Sequence, residues 1–132
     1  MSESVTSILS RAIRMIAIEQ PNAYEQMVYR LEGLFVSFHF ENALYMEAKQ
    51  GELYLSAEPA SSDIQIHGDR SAVLDLISGR STLSQTVYSG RLDIKGRIGE
   101  LGRALSAVDY FIAALLRIET ASELVEALEA GA

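Results

Sequence analysis

Apolar positions along this chain change period more than once, and each change marks a new element. Val5, Ile8, Leu9, Ala12, Ile13 and Ile16 recur at intervals of three and four, which predicts an amphipathic helix over residues 4–19. Pro21 ends it or starts the next element. Asn22 is placed to cap a second helix over residues 23–31, with Tyr24, Met27, Val28 and Leu31 on one side and Gly33 at its close. From Leu34 the period drops to two. Leu34, Val36, Phe38 and Phe40 alternate with Phe35, Ser37 and His39. Leu44, Met46 and Ala48 then alternate with Tyr45, Glu47 and Lys49. Gln50-Gly51-Glu52 reads as a turn, after which Leu53, Leu55 and Ala57 repeat the alternation. This is an antiparallel meander with one apolar face. After a loop over residues 59–62, Ile64 and Ile66 continue that face in a fourth strand.

Helical spacing then returns. Asp69 or Ser71 caps a helix carrying Val73, Leu74, Leu76 and Ile77, ended by Gly79. Leu83 and Val87 form a weaker helical turn before Gly90, and Leu92 with Ile94 gives a fifth strand. From Ile98 a stripe runs through Leu101, Leu105, Val108, Ile112 and Leu115, with Ala104, Phe111 and Leu116 beside it. Thr120-Ala-Ser-Glu123 has the spacing of a capping box and opens a last short helix with Leu124, Val125 and Leu128. A sheet with one apolar face needs a cover, and the helices supply it. The fold class expected is α+β: a five-stranded, mainly antiparallel sheet with helices layered on one face. The first strand follows two helices and the fifth follows a helical crossover, which admits some mixed pairing. No repeat or linker divides the 132 residues, so one domain is expected: N-terminal helices over 1–32, a body over 34–116 and a short helix over 120–130.

Composition narrows the chemistry. There is no cysteine, which excludes disulfides, thiolate metal sites and cysteine nucleophiles. Two histidines without ligand spacing leave only a carboxylate-built metal site, and no cofactor motif is present. The formal net charge of −7 argues against nucleic acid as a partner. No window is apolar for the roughly 20 residues of a membrane span. The N-terminus lacks the early basic residues of a secretory signal, so a cytoplasmic location is expected. Between Arg70 and Arg103, six basic residues (Arg70, Arg80, Arg91, Lys95, Arg97, Arg103) outnumber Asp75, Asp93 and Glu100. That contrast reads either as charge scattered over solvated faces or, more sharply, as a basic rim on an acidic body able to meet an anionic lipid surface or an acidic partner.

No phosphate loop, nucleophile elbow or zinc-protease helix appears. Gly96-Arg-Ile-Gly99-Glu-Leu-Gly102 has the wrong spacing for a dinucleotide fingerprint. His39 lies on the less apolar face of its strand, His67 is placed to pair with Asp69, and neither has a serine nucleophile in context. Asp109 in the long helix is read as a solvated flank position. What remains is an apolar interior including Phe38, Phe40, Met46, Leu55, Val73, Leu74, Ile77, Leu83, Val87, Leu105, Val108, Phe111 and Ile112. Periodicity alone leaves open whether these side chains close-pack or enclose a void.

The run from Leu34 to Leu116 resembles the sterol-carrier-protein type 2 family, bacterial members included. The pieces that carry the likeness are the meander with Gly51 in its turn and the strand Asp63-Ile-Gln-Ile-His-Gly68. The helix Ala72–Gly79 and Ser89-Gly-Arg-Leu-Asp-Ile-Lys-Gly96 before the long helix complete it. The resemblance implies an apolar tunnel between sheet and helices that binds or transfers a lipid, acyl chain or quinone precursor without catalysis. It implies that 73–77, Leu83 with Val87, and Leu105 to Ile112 wall this tunnel against Phe38, Phe40, Met46 and Leu55. Phe38, Leu74 and Phe111 are then expected to line one cavity. Some bacterial relatives assist ubiquinone synthesis and carry a long coiled-coil extension, which this chain has only as the short 120–130 helix. It also lacks a peroxisomal C-terminal tripeptide. The competing expectation is a packed-core interaction module that docks or dimerises through the Val5–Ile16 stripe, and burial of that stripe would remove its surface.

Overall fold

The structure, a computed structural model, describes residues 3–131. Helix α1 spans Val5–Glu19 and starts where the Ser4 hydroxyl accepts from the Ser7 amide at 3.2 Å. Its stripe Val5, Ile8, Leu9, Ala12, Ile13 and Ile16 is buried along its whole length. Helix α2 spans Pro21–Leu31. Asn22 is not its cap. Pro21, with φ already helical and no N–H to satisfy, occupies the first turn, so the helix begins ahead of Asn22 and Gln20 stands at the cap.

The sheet holds β1 (Phe35–Phe40), β2 (Asn42–Lys49), β3 (Glu52–Ser56), β4 (Ile64–Gly68) and β5 (Leu92–Lys95) in the order β3-β2-β1-β4-β5. Three pairings are antiparallel. β1 and β4 run parallel, with Val36 opposite Ile64 and His39 opposite His67. The connection from β3 to β4 passes over the outer face of the sheet. There the Ser62 hydroxyl meets that of Ser37 at 3.0 Å, and Ser37 is left only 1% exposed. The helices cover the other face, where Val36, Phe40, Met46, Ala48, Ile64, Ile66 and Leu92 are buried in the same core as α1.

The remaining helices are α3 (Arg70–Ile77), α4 (Leu83–Tyr88), α5 (Ile98–Leu115) and α6 (Ala121–Glu129). Asp69 caps α3, its carboxylate accepting from the Ala72 amide at 2.8 Å. Thr120–Glu123 forms no capping box. Thr120 has φ −85° and ψ 4°, too compact to turn its hydroxyl onto the next turn, and the hydroxyl instead meets Glu19 at 3.4 Å. A capping box does form at α4, between Thr82 and Gln85. Of the three glycines spaced along 96–102, only Gly96 is sterically required: a Cβ there would lie 2.5 Å from Ile64 Cδ1 and 3.0 Å from the Asp63 carbonyl.

Arg70 also departs from its expected place on a basic rim. It is 7% exposed and holds the Glu41 carboxylate with two hydrogen bonds. Its remaining donors reach the carbonyls of Glu3, Ala127 and Leu128. A guanidinium fits here because its planar fork can serve a carboxylate and several carbonyls at once.

Candidate functional site: an apolar slot beneath the long helix

Two adjoining cavities lie between the sheet and α5. The first, about 50 Å³, is walled by Leu9 and Ile13 of α1, Met27 and Leu31 of α2, Val36, Phe38, Met46 and Ile66 of the sheet, and Ala104, Ala107, Val108 and Phe111 of α5. The second, about 70 Å³, is walled by Val73, Leu76 and Ile77 of α3, Phe40 and Leu92 of the sheet, and Ile112 of α5. Leu9, Phe38, Ile66, Val108 and Phe111 border both, so the two lobes of this slot adjoin across a shared wall. Every lining side chain is apolar.

The slot exists because of what α5 presents to the sheet. Ala104, Ala107, Val108, Phe111 and Ile112 fall at successive intervals of three, one, three and one, a single helical face. At Ala104 and Ala107 it carries only methyl groups, which cannot fill the distance to the sheet, while Phe111 borders both lobes. Val108, Phe111 and Ile112 are only half-buried.

Polar side chains hold α5 in place from one flank. Arg30 of α2 donates to the Ser106 hydroxyl at 2.6 Å, and its guanidinium lies 4.4 Å from the Tyr110 ring centroid. Arg103 donates in return to the carbonyls of Arg30 and Glu32, at 2.8 and 2.6 Å, capping the C-terminus of α2.

Among the residues singled out in sequence, Phe38, Phe40, Met46, Val73, Ile77, Val108, Phe111 and Ile112 come together around this slot. The other five lie elsewhere. Leu55 faces a separate groove at the β3 edge with Ile13, Arg14 and Tyr24. Leu74 is buried in the core but outside the slot lining, so it does not share a cavity with Phe38 and Phe111. Leu83 packs on the periphery of the core. Val87 is 36% exposed, because α4 turns Thr86 inward, its hydroxyl satisfied by the Thr82 carbonyl at 2.8 Å. Leu105 is half-buried on the flank of α5.

Sequence reasoning missed the α1 and α2 contributions and the two alanines. A stripe drawn through the largest side chains passes through Leu105. The angular fit of Ala104 and Ala107 to Val108 and Phe111 was the available signal for the true face. The α1 stripe, being buried, leaves no surface for the docking module.

The two histidines sit away from the slot, on the outer face, where their rings stack with centroids 4.3 Å apart. His67 meets Gln65 rather than Asp69. His39 Nε2 lies 2.9 Å from the Ser37 hydroxyl, and burial, followed by the neighbouring His67, lowers its pKa below the usual histidine value. Asp109 is exposed on α5. Among the described residues no three histidine or carboxylate side chains converge as a metal site, and no helix is long and apolar enough to cross a membrane. Of the basic residues, Arg80 and Arg91 both bind Asp75, at 3.0 and 2.8 Å, and Lys95 binds Asp93 at 3.5 Å. These two arginines hold the Asp75 carboxyl below its usual pKa.

This geometry has counterparts. A model of the SCP-2 sterol transfer family matches residues 15–108, well over half of the chain. The sterol carrier protein domain 2 of Helicoverpa armigera superposes with a TM-score of 0.63 at 18% identity, covering 90% of this chain and 98% of that one. The apo form of sterol carrier protein 2 from Yarrowia lipolytica gives 0.55 at 18% identity, covering 82% and 89%. A UbiJ-SCP2 ubiquinone synthesis protein gives 0.52 at 17% identity, covering 67% and 76%. No curated protein matches in sequence.

Proposed function

Because the chain belongs to the SCP-2 sterol transfer family, we propose that it binds and carries a hydrophobic molecule in the slot between its sheet and α5, without acting on it chemically. The observation that supports this most directly is the wall itself: two adjoining lobes bounded only by apolar side chains, with Ala104 and Ala107 offering only methyl groups between α5 and the sheet. Such a wall offers burial and no directional contact. At about 0.8 kcal/mol per buried methylene, an acyl or isoprenoid chain gains enough for micromolar affinity after ordering costs.

The ligand class is an acyl chain, a polar lipid or an isoprenoid-quinone precursor. A flexible chain suits two small adjoining lobes with a phenylalanine bordering both better than a rigid ring system does. Likeness to a ubiquinone synthesis protein lends support to the quinone branch. Lobes of 50 and 70 Å³ are far below the roughly 300 Å³ of a typical ligand pocket, so uptake must expand them. Delivery to an anionic bilayer would draw on Arg97, with Arg80, Arg91 and Lys95 exchanging their carboxylate partners for phosphate.

Native mass spectrometry of the gently purified protein, followed by solvent extraction, tests this reading. A bound mass of lipid size, or saturable uptake of a fluorescent fatty acid by the apo protein, is the expected result. An apo mass with no uptake would overturn it.

A further inference from the structure

We propose that the ligand enters through the seam between α3 and α5, where Ile77 faces Ile112 across the second lobe. This rests on the carrier reading above and adds the route.

The slot is too small for a chain-like ligand as it stands, so one of its walls must move. Polar contacts show which. Among the described residues, every side-chain hydrogen bond from α5 to another element goes to α2 or to Glu32 just beyond it: Arg30 to Ser106 and Tyr110, and Arg103 to two carbonyls. Helix α3 is tied just as consistently elsewhere. Arg70 joins it to the β1–β2 turn and to α6, and Asp75 joins it to Arg80 and Arg91 on either side of α4. No hydrogen bond or ion pair joins α3 to α5 among those residues. Two separately fastened groups of helices therefore meet along a line of apolar contacts alone.

Directional bonds resist opening, because the partners of a part-buried contact such as Arg30 to Ser106 are left unpaired when they separate. An apolar seam loses only burial, and an incoming hydrocarbon restores that burial as the seam parts. Ile112 is already half-buried, so the outer lip of the seam is wetted before any movement. Rotation of α5 about its α2 clamp thus opens the second lobe first, with Phe111 the gate to the first.

The absence of cysteine makes the test clean, since one introduced thiol reports one position. Ile77 is 4% exposed and Leu31, on the clamped α2 flank of the first lobe, is 5% exposed, so static burial predicts equal reactivity. Single variants Ile77→Cys and Leu31→Cys are labelled with a maleimide under native conditions, with Val73→Cys as a second reporter for the α3 side. Labelling at least tenfold faster at positions 77 and 73 than at 31 is expected. Labelling of Ile77→Cys with a bulky maleimide should also slow uptake of a fluorescent fatty acid at least tenfold. Equal rates, or faster labelling at 31, overturn the route. If the α3-side thiols react faster yet the unlabelled protein takes up no fatty acid, the seam opens as stated and it is the carrier reading that fails.

Discussion

Arg70 and Glu41 meet through two parallel hydrogen bonds of 3.0 Å each, joining the first turn of α3 to a left-handed residue at the β1–β2 turn. Glu41 has φ 66°, a conformation that costs a glutamate energy unless its surroundings fix it. The same carboxylate accepts from the Val5 amide at 2.9 Å, so it also caps the start of α1. One ion pair thereby sets the relative positions of α1, α3, α6 and the β1–β2 turn.

Arg70→Met should destabilise the fold by about 3 kcal/mol, the low end for breaking a buried pair because the Glu41 side chain is partly solvated. The carbonyls of Ala127 and Leu128 lose the guanidinium at the same time, and that of Leu128 retains the Gly131 amide at 3.3 Å. Urea unfolding measures the change, and faster amide exchange in α6 should accompany it.

Glu41 also makes stability depend on pH. The hydrogen bond from Arg70, and next that from the Val5 amide, hold its pKa below the ordinary 4.5. A carboxyl whose folded pKa is depressed stabilises the fold above its unfolded pKa and loses that contribution as pH falls through the folded value. Stability should therefore decline below about pH 4.5, and Glu41→Gln should be less stable at neutral pH while showing a flatter acid limb.

His39 acts in a higher window. His39 is harder to protonate in the folded protein than in the unfolded chain, so the unfolded state binds more protons as pH drops below 6.5. Folding stability should fall from pH 6.5 downward toward the folded His39 value. His39→Gln should remove that slope between pH 7 and 5 in denaturant titrations, while ligand uptake stays unchanged because the pair lies on the opposite face of the sheet from the slot.

Ala107→Leu should fill the first lobe. Overpacking costs about 1–3 kcal/mol, which leaves a folded protein by circular dichroism. Affinity for a fluorescent fatty acid should drop at least tenfold. Unchanged affinity would remove the first lobe from the ligand's path.

Arg30→Gln should loosen the clamp between α2 and α5. Losing the bond to Ser106 and the contact with the Tyr110 ring costs about 1–2 kcal/mol. For a domain of this size that corresponds to a thermal midpoint lowered by roughly 4–8 °C.

Much of this architecture is legible in the residue pattern, and the reasons differ by element. The α1 stripe and the β1–β3 alternation are local signals, each repeated often enough to fix both element and buried face. Asp69 capping α3 is equally local. Thr120–Glu123 has the same spacing as a working cap and fails because backbone angles set by the α5–α6 turn decide whether a hydroxyl can reach. The slot is harder to read. Its wall joins Leu9 to Phe111 and Met27 to Ile66, and nothing in sequence spacing announces contacts across such separations. Ala104 and Ala107 look like helix filler until the sheet beneath them is known. Arg70 reads as a surface charge because its partners Glu3, Glu41 and Leu128 are distant along the chain.

The clamp from Arg30 to Ser106 closes across 76 residues, and Arg70 gathers carbonyls from both ends of the described chain. A ribosome delivers these partners in a fixed order. Helices α1 and α2 and the meander emerge long before α5 and α6, so the stripe from Val5 to Ile16 and the floor of the slot wait without their cover while the rest is made. Closure is therefore a late event in the life of each molecule. During that interval the nascent chain displays the apolar floor that α5 later covers.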